Sequence, residues 1–154
     1  MTDNNDEGYV KSHHTHGITT IEFFHPKSNS MPSDLLAVLV QHLHRANVPS
    51  TKVIVIKSAG SGAFCAGASF DELINISNEA EGFHFFMGFA NVINEMRKSE
   101  KLIIARIHGK CVGGGVGIAA AADYTIACEL ADVRLSELSI GIGPFVIGPA
   151  VQRK

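Results

Sequence analysis

The stretch Arg106–Asp123, RIHGKCVGGGVGIAAAAD, decides how this chain folds. An apolar run, Leu102–Ile107, leads into it and predicts a buried strand. Three consecutive glycines, 113–115, then precede an alanine-rich segment that is typical of a tightly packed helix. Strand, glycine turn and helix together predict exposed backbone N–H groups at a helix N-terminus, which favour an anion or a developing oxyanion. The alternative is a glycine-rich segment that is only a turn, and this stretch alone does not separate the two.

Two common glycine motifs are excluded by their spacing. A dinucleotide-binding fingerprint needs a third glycine three residues after the second, and Ile118 stands three residues after Gly115. A phosphate-binding loop needs Gly-Lys-Ser or Gly-Lys-Thr, and the chain has neither. The glycine stretch therefore indicates neither of these nucleotide sites.

The composition is that of one globular domain. The 154 residues are 45% hydrophobic and 18% charged, which suits a domain with a substantial core. A net charge of -2 gives no reason to expect a nucleic-acid partner, and no apolar run approaches the roughly 20 residues that span a bilayer. Three cysteines without framework spacing, Cys65, Cys111 and Cys128, predict a reducing, cytoplasmic environment.

We expect residues 1–17 to form a disordered N-terminal tail and residues 18–154 to form the folded core. The tail is polar and acidic, unlike a signal peptide. Its histidines His13, His14 and His16 are conceivable metal ligands, but no cysteine or carboxylate stands nearby at ligand spacing. We therefore expect a solvated tail and no metal site.

Beyond residue 18, predicted strands alternate with predicted helices, which favours an α/β fold with a mainly parallel sheet. The predicted strands are 18–24, 52–57, 102–107, 124–128 and 133–135. The β-branched run 52–57 is typical of a strand covered on both faces. Helical periodicity follows from Leu35 to Ala46. A second helix is predicted by an apolar stripe at Phe83, Phe86, Met87, Ala90, Ile93 and Met96.

A second glycine-rich loop follows the predicted strand 52–57 and contains Gly60, Gly62 and Gly67. In parallel sheets, ligands bind just past the carboxyl ends of the strands. Both glycine loops are therefore candidate parts of a ligand site.

With these two loops in this order, the sequence resembles the crotonase (enoyl-CoA hydratase/isomerase) superfamily. The resemblance rests on AFCAGASFDEL at 63–73, IARIHGKCVGGGVGIAAAADYTIAC at 104–128 and LSELSIGIGP at 135–144. It implies a crotonase-like (ββα)-type spiral with a mainly parallel sheet. Family members usually continue through several further helices that close the acyl pocket and build a trimer, so the resemblance also implies a core that lacks the usual C-terminal helices.

The resemblance implies an enzyme that binds an acyl-CoA thioester and stabilises an enolate on the thioester oxygen. Carried over by position, the oxyanion hole consists of the backbone N–H groups of Ala68 and Gly114, and Glu137 is the catalytic carboxylate. The implied contacts to coenzyme A are Ala66, Gly67, Ala68, Ser69, Gly113 and Gly114. Coenzyme A belongs to the substrate, so no separate cofactor is expected. The implied assembly is a homotrimer or a dimer of trimers, with no nucleic-acid or membrane partner.

The sequence departs from the family pattern at three positions. Family hydratases use two glutamates, and this chain has Gly117 at the first position while it keeps Glu137 at the second. Phe145 replaces the glycine of a Pro-Gly turn and is expected to add bulk where relatives hold water, and Ser69 stands where many relatives carry aspartate. These departures favour proton transfer by Glu137, as in the family's isomerases, over hydration by two carboxylates.

Several alternatives stay open at this point. One alternative is an acyl-CoA decarboxylase of the same family, in which loss of carbon dioxide itself makes the enolate and the carboxylate can be dispensable. Another is a non-catalytic acyl-CoA-binding or oligomerising module. Glu137 can be a merely structural charge paired with Arg134 or Arg153. Other candidate acid/base groups are Asp71, Glu72, Glu81 and His84.

Overall fold

A computed structural model describes residues 7–154, and in it strands and helices alternate as predicted for an α/β fold. The strands are β1 (Tyr9–Thr15), β2 (Ile18–Phe24), β3 (Val53–Ser58), β4 (Leu102–Ile107), β5 (Cys111–Val112), β6 (Tyr124–Ala127) and β7 (Val133–Arg134). The helices are α1 (Ser33–Ala46), α2 (Phe70–Ile74), α3 (Glu79–Lys98), α4 (Gly114–Ala121) and α5 (Gly148–Gln152), with a short 3₁₀ helix at Glu137–Ile140. Within these described residues, no helix is both long and apolar enough to cross a bilayer.

Five strands form the main sheet in the order β1-β2-β3-β4-β6. The pairs β2–β3, β3–β4 and β4–β6 are parallel, which confirms the predicted mainly parallel sheet. Strands β5 and β7 form a separate two-stranded parallel sheet. Because β3 and β4 are parallel neighbours, their carboxyl ends meet at one edge, and the glycine loop after each strand starts there.

The prediction of a disordered tail over residues 1–17 is wrong for Tyr9–Thr15, which form β1 and pair antiparallel with β2. The two strands are joined by a two-residue turn, His16–Gly17, in which both residues have positive φ (48° and 83°). Such a turn matches the twist of the hairpin strands. The sequence hides this strand because its side chains are mostly exposed and polar, so no apolar alternation marks it. Residues 1–6 of the predicted tail lie outside the described residues.

The core lies between one face of the main sheet and helices α1, α3 and α4. Alternate strand residues on this face are buried, namely Ile21, Phe23, Ile54, Ile56, Ile103 and Ala105. On the opposite face of β3, Val53 and Val55 are only half-buried, so the expectation that this strand is covered on both faces is wrong for the described chain. A continuous apolar run does not by itself reveal how much of each face is covered.

The predicted apolar stripe of helix α3 is confirmed at Ile93 and Met96 but is wrong in the first half of the helix. Its buried side chains are Phe85, Phe89, Val92, Ile93 and Met96, whereas Phe83 is 69% exposed and Phe86 is also exposed. Four phenylalanines between residues 83 and 89 satisfy helical spacing in more than one phase, and the sequence alone did not choose between them. This phase turns Phe85 and Phe89 inward.

A row of charged side chains crosses the half-open face of the sheet. Lys11, Glu22 and Lys57 are cross-strand neighbours in register, and the Glu22 carboxylate lies 2.9 Å from Lys11 Nζ and 2.5 Å from Lys57 Nζ. Burial alone would raise the pKa of Glu22, but hydrogen bonds from Lys57, Lys11 and Tyr9 outweigh it and lower this pKa to about 2. The ionised carboxylate therefore stabilises the folded sheet.

We predict that Glu22→Gln lowers the free energy of unfolding at pH 7 by about 1–2 kcal/mol. Because the folded-state pKa lies below the unfolded one, the contribution of Glu22 is present above about pH 4.5 and is lost as the pH falls toward 2. The stability of the variant should therefore depend less on pH across this window. Urea unfolding at a series of pH values measures this, with Glu129→Gln, a change of an exposed glutamate, as the control. Identical pH profiles for the parent and Glu22→Gln would contradict the prediction.

Candidate active site

The two glycine loops are held together by backbone contacts. The first loop follows β3 (59–69) and the second follows β4 (108–113). The Cys65 N–H donates to the Lys110 carbonyl (3.2 Å), and the Val112 N–H donates to the Cys65 carbonyl (2.8 Å). A Cβ placed on Gly109 would lie 2.1 Å from the Gly62 carbonyl oxygen, so only glycine permits this approach. The loops therefore form one unit at the edge of the sheet.

Glycine is required a second time where the second loop enters helix α4. Gly113 precedes the first helical residue and has φ 53° and ψ −121°, a conformation that residues with a side chain rarely adopt. Gly67 of the first loop has φ 96°, and a Cβ on it would lie only 3.7 Å from the Gly114 nitrogen. The sharp turn at Gly113 thus starts α4 directly beside the first loop.

A cavity of about 260 Å³ opens where the loops meet. Its walls come from both loops, from the inward face of α3 and from the segment 136–147. All the residues that the resemblance assigned to a site line this cavity, namely Ala66, Gly67, Ala68, Ser69, Gly113, Gly114 and Glu137. The structure therefore brings these residues, which are spread over some seventy positions, into one place.

Two backbone N–H groups of the cavity wall are available to a ligand. In the hydrogen bonds of residues 7–154, neither the Ala68 N–H nor the Gly114 N–H donates to another protein group. Gly114 is the first residue of α4, so its N–H also lies at the positive end of the helix dipole. Two donors of this kind suit an oxygen that carries, or develops, negative charge.

Glu137 supplies a carboxylate to the same cavity. It opens the 3₁₀ helix, and its Oε2 atom is buried without a hydrogen-bond partner among the described residues. A Cβ on Gly113 would lie 3.4 Å from Glu137 Oε1, so the carboxylate packs against the turn that starts α4. Among the ion pairs of the described chain, none joins Glu137 to Arg134 or Arg153, the structural partners considered from the sequence. A buried acceptor without a partner is suited to accept a proton or a hydrogen bond from a ligand.

The other candidate acid/base groups lie elsewhere. Asp71 pairs with Lys27 at the surface, and the Glu72 carboxylate accepts hydrogen bonds from the N–H and hydroxyl of Ser33 at the start of α1. The Glu81 carboxylate accepts from Ser77, and all four groups, His84 included, line a separate groove between α1, α2 and α3. None of these four groups lines the cavity, so Glu137 is the one carboxylate among its described lining residues.

Ser69 has a local structural role. Its hydroxyl accepts the Glu72 N–H at 3.3 Å and so caps the N-terminus of α2. The buried serine therefore fixes where α2 begins and, with it, the path of the chain just past Ala68.

An isoleucine fills the space next to Gly117. A Cβ on Gly117 would lie 2.5 Å from Ile147 Cγ2, and Ile147 is 2% exposed and lines the cavity. The expectation that Phe145 adds bulk at this place is wrong, because Phe145 is 84% exposed and is absent from the cavity wall. The chain turns between these two residues, so the second of them points inward.

The sequence reasoning missed the aromatic wall of the cavity. Phe70, Phe85, Phe86 and Phe89 line it, and a Cβ on Gly114 would lie 2.4–2.5 Å from three ring atoms of Phe89. The Phe89 ring thus lies directly against the residue that carries one of the two free N–H groups. For Phe85 and Phe89, the available signal was the second phase of the phenylalanine spacing in α3.

Residues 7–154 bring together no group of three His, Cys, Asp or Glu side chains that can hold a metal ion. His14, one of the predicted tail histidines, instead shares a hydrogen bond of 2.9 Å with Thr19.

Known proteins resemble this chain over nearly its whole length. The sequence profile of the family Enoyl-CoA hydratase/isomerase matches residues 13–154. The 4-chlorobenzoyl coenzyme A dehalogenase-2 of Arthrobacter sp is 29% identical over 147 residues, which cover 92% of this chain and 52% of that protein. The mitochondrial 3-hydroxyisobutyryl-CoA hydrolase of Homo sapiens is 35% identical over 106 residues, covering 65% of this chain and 26% of that protein.

The solved structures agree with the sequence matches. The crystal structure of the enoyl-CoA hydratase from Bacillus anthracis superposes with a TM-score of 0.87 at 28% identity, covering 94% of this chain and 57% of that chain. The chain therefore spans about half, or less, of the length of the proteins it matches.

We predict that Gly109→Ala lowers the free energy of unfolding by about 1–3 kcal/mol, because the added methyl must displace the Gly62 carbonyl. Thermal unfolding measures the loss. The matched control is Gly148→Ala in α5, where a Cβ meets nothing within 4 Å, and its stability should be equal to or above that of the parent. An unchanged melting temperature in Gly109→Ala would show that the loops separate freely.

We also predict that only one of the three thiols reacts in the native protein. Burial raises the pKa of Cys65 and of Cys111 to about 12, whereas Cys128 is exposed. Because the thiolate is the reactive form, iodoacetamide near pH 7.5 should add a single group, at Cys128. Intact-mass spectrometry counts the adducts, with denatured protein as the three-adduct control and Cys128→Ser as the zero-adduct control. Native labelling of Cys65 or Cys111 at a similar rate would mean that the loops open readily.

Proposed function

Because the chain belongs to the enoyl-CoA hydratase/isomerase family, we propose that it binds an acyl-CoA thioester in the cavity and moves a proton on the acyl chain. One observation carries the proposal: among the described residues that line the cavity, Ala68 and Gly114 have backbone N–H groups without a protein acceptor, and Glu137 is the one carboxylate. In this proposal, the thioester carbonyl oxygen accepts hydrogen bonds from Ala68 and Gly114. The coenzyme A part of the substrate lies along Ala66–Ser69 and Gly113, and no separate cofactor takes part.

The proposed reaction begins with transfer of the α-proton to the Glu137 carboxylate. The electron pair of the broken C–H bond forms a double bond to the thioester carbon, and the carbonyl π electrons move onto oxygen, giving an enolate. The N–H groups of Ala68 and Gly114 stabilise this charge. If the acyl chain carries a β,γ double bond, Glu137 returns its proton to the γ-carbon and the electrons of the enolate shift the double bond to the α,β position. No proton or electron is gained or lost overall.

Hydration fits this cavity less well. Adding water to an α,β double bond requires a base for the water and an acid for the α-carbon, and each such role contributes about 10²–10⁴ in rate. Within residues 7–154, Glu137 is the one carboxylate that lines the cavity, and Ile147 occupies the space beside Gly117. We therefore propose proton transfer as the main reaction and hydration as a weak one. Decarboxylation, which forms the same enolate without a base, is the alternative.

We further propose that the protein self-associates, as a trimer or a dimer of trimers, in the cytoplasm. Large apolar side chains at the surface support association, among them Phe83, Leu138 and Phe145, which are 69%, 71% and 84% exposed. Light scattering over a range of protein concentrations tests the proposed assembly.

We predict that Glu137→Gln slows α-proton exchange of a bound acyl-CoA by about 10²–10⁴-fold, because glutamine is similar in size but accepts no proton. The measurement is deuterium uptake from D₂O, read by mass spectrometry on a panel of saturated, β,γ-unsaturated, α,β-unsaturated and malonyl-type thioesters. The same spectra separate a water gain from a carbon dioxide loss. Glu129→Gln is the control for an exposed glutamate.

Equal exchange in Glu137→Gln and the parent would place the base elsewhere. Carbon dioxide loss that persists in Glu137→Gln would favour the decarboxylase alternative. Thioester binding without exchange, hydration or decarboxylation on any member of the panel would favour a non-catalytic binding module.

A further inference from the structure

We propose that Ile147 decides the outcome of the reaction by keeping water away from the inner side of Glu137. This inference rests on the proposed function, because it concerns which of two reactions the same cavity favours. Its structural basis is the packing of the Glu137 and Ile147 side chains against the first turn of α4.

Glu137 and Ile147 both pack against the first turn of α4. Glu137 Oε1 packs against Gly113 at the start of α4, and Ile147 Cγ2 packs against Gly117. The Gly117 N–H donates to the Gly113 carbonyl at 3.4 Å, so the two positions are one helical turn, or about 5–6 Å, from each other. The isoleucine methyl groups therefore occupy the cavity wall one turn beyond the carboxylate.

The cavity wall around Ile147 is apolar. Ile147 is 2% exposed, and Gly117 and Ile93 pack around the same point. None of these three residues offers a side-chain hydrogen-bond partner for water. A water molecule held in place needs two or more polar partners, and the side chains packed around Gly117 supply none. The wall beyond Glu137 is consequently apolar.

The two reactions differ in whether they need a water molecule beside Glu137. In hydration, the water oxygen bonds to the β-carbon while its proton passes to Glu137, the double-bond electrons move to the thioester oxygen, and the α-carbon then takes a proton. Each of these events needs a water held near the carboxylate. In α-to-γ proton transfer, Glu137 alone carries the proton both ways. Ile147 thus permits the second reaction and suppresses the first.

The experiment compares two replacements of nearly equal shape, Ile147→Thr and Ile147→Val. Threonine places a hydroxyl where valine places a methyl, so only threonine can help to hold a water. We expect Ile147→Thr to raise the ratio of hydration to γ-proton exchange on α,β-unsaturated acyl-CoA by about tenfold or more over Ile147→Val. Hydration is read as a mass gain of one water, and exchange is read as deuterium uptake into the thioester that has not gained water, in the same reaction. A ratio for Ile147→Thr equal to that of Ile147→Val would overturn the proposal.

A further variant and a second readout keep the result decisive. If Ile147→Thr fails to fold by circular dichroism, Ile147→Ala opens the same space and should also raise the ratio, whereas an unchanged ratio would overturn the proposal. Crystal structures of the parent and the variant report the water directly. A water hydrogen-bonded to Glu137 on the Ile147 side in the parent protein would overturn the proposal, whether or not the protein turns over any thioester.

Failure of the proposed function looks different. If the parent shows no exchange that depends on Glu137, the proposed proton transfer is wrong. The crystallographic test for a water beside Glu137 then decides the role of Ile147 by itself. If exchange depends on Glu137 but the product ratio ignores residue 147, only the role of Ile147 falls.

Discussion

The structure depends on the contact between two backbone segments, the loop after β3 and the loop after β4. At Gly109 and Gly62 the chains approach so closely that a single methyl group would separate them. With the loops in contact, Gly67, the residue before Ala68, lies against Gly113 and the Gly114 nitrogen at the start of α4. A site built from main-chain donors has no side chain that can swing into position, so its geometry is set by how closely the loops pack. The glycines therefore matter for the site because they allow the two loops to approach closely, as well as because they allow tight turns.

The same packing accounts for the apolar character of the cavity. The Phe89 ring lies against Gly114, and Ile147 lies against Gly117, each in a space that a side chain on the glycine would fill. At both contacts, a glycine of α4 leaves space for a large apolar side chain from another part of the chain. In such a low-dielectric setting, fixed N–H dipoles interact more strongly with a developing charge than they do in water. The same packing therefore makes the cavity wall apolar and strengthens the interaction of the N–H groups with a developing charge.

Much of this arrangement can be predicted from the sequence, because it follows from strong local signals. The β-branched runs, the glycine loops after them and the triple glycine predict the parallel sheet and two loops at one edge of it. The gathering of Ala68, Gly114 and Glu137 in one cavity was implied by the family resemblance, and all three residues line the cavity. Features that depend on the phase of a helix or on distant contacts were not predicted. The four phenylalanines of α3 fit two stripes, and Ile147 rather than Phe145 enters the cavity because of how the chain turns between them. The edge strand β1 was missed since only its pairing with β2, and no pattern of its own, makes it a strand.

The contact between Gly117 and Ile147 gives the sequence departure at position 117 a physical meaning. A missing carboxylate alone leaves a hole that water can fill, and water beside Glu137 would restore part of the lost chemistry. Here the space is closed by a β-branched side chain with little rotamer freedom, so a glutamate placed at position 117 would meet Ile147 Cγ2 before reaching the cavity. The two positions therefore have to change together for a second carboxylate to enter. Glycine at 117 and isoleucine at 147 therefore form a matched pair, and they leave Glu137 as the one carboxylate among the described residues that line the cavity.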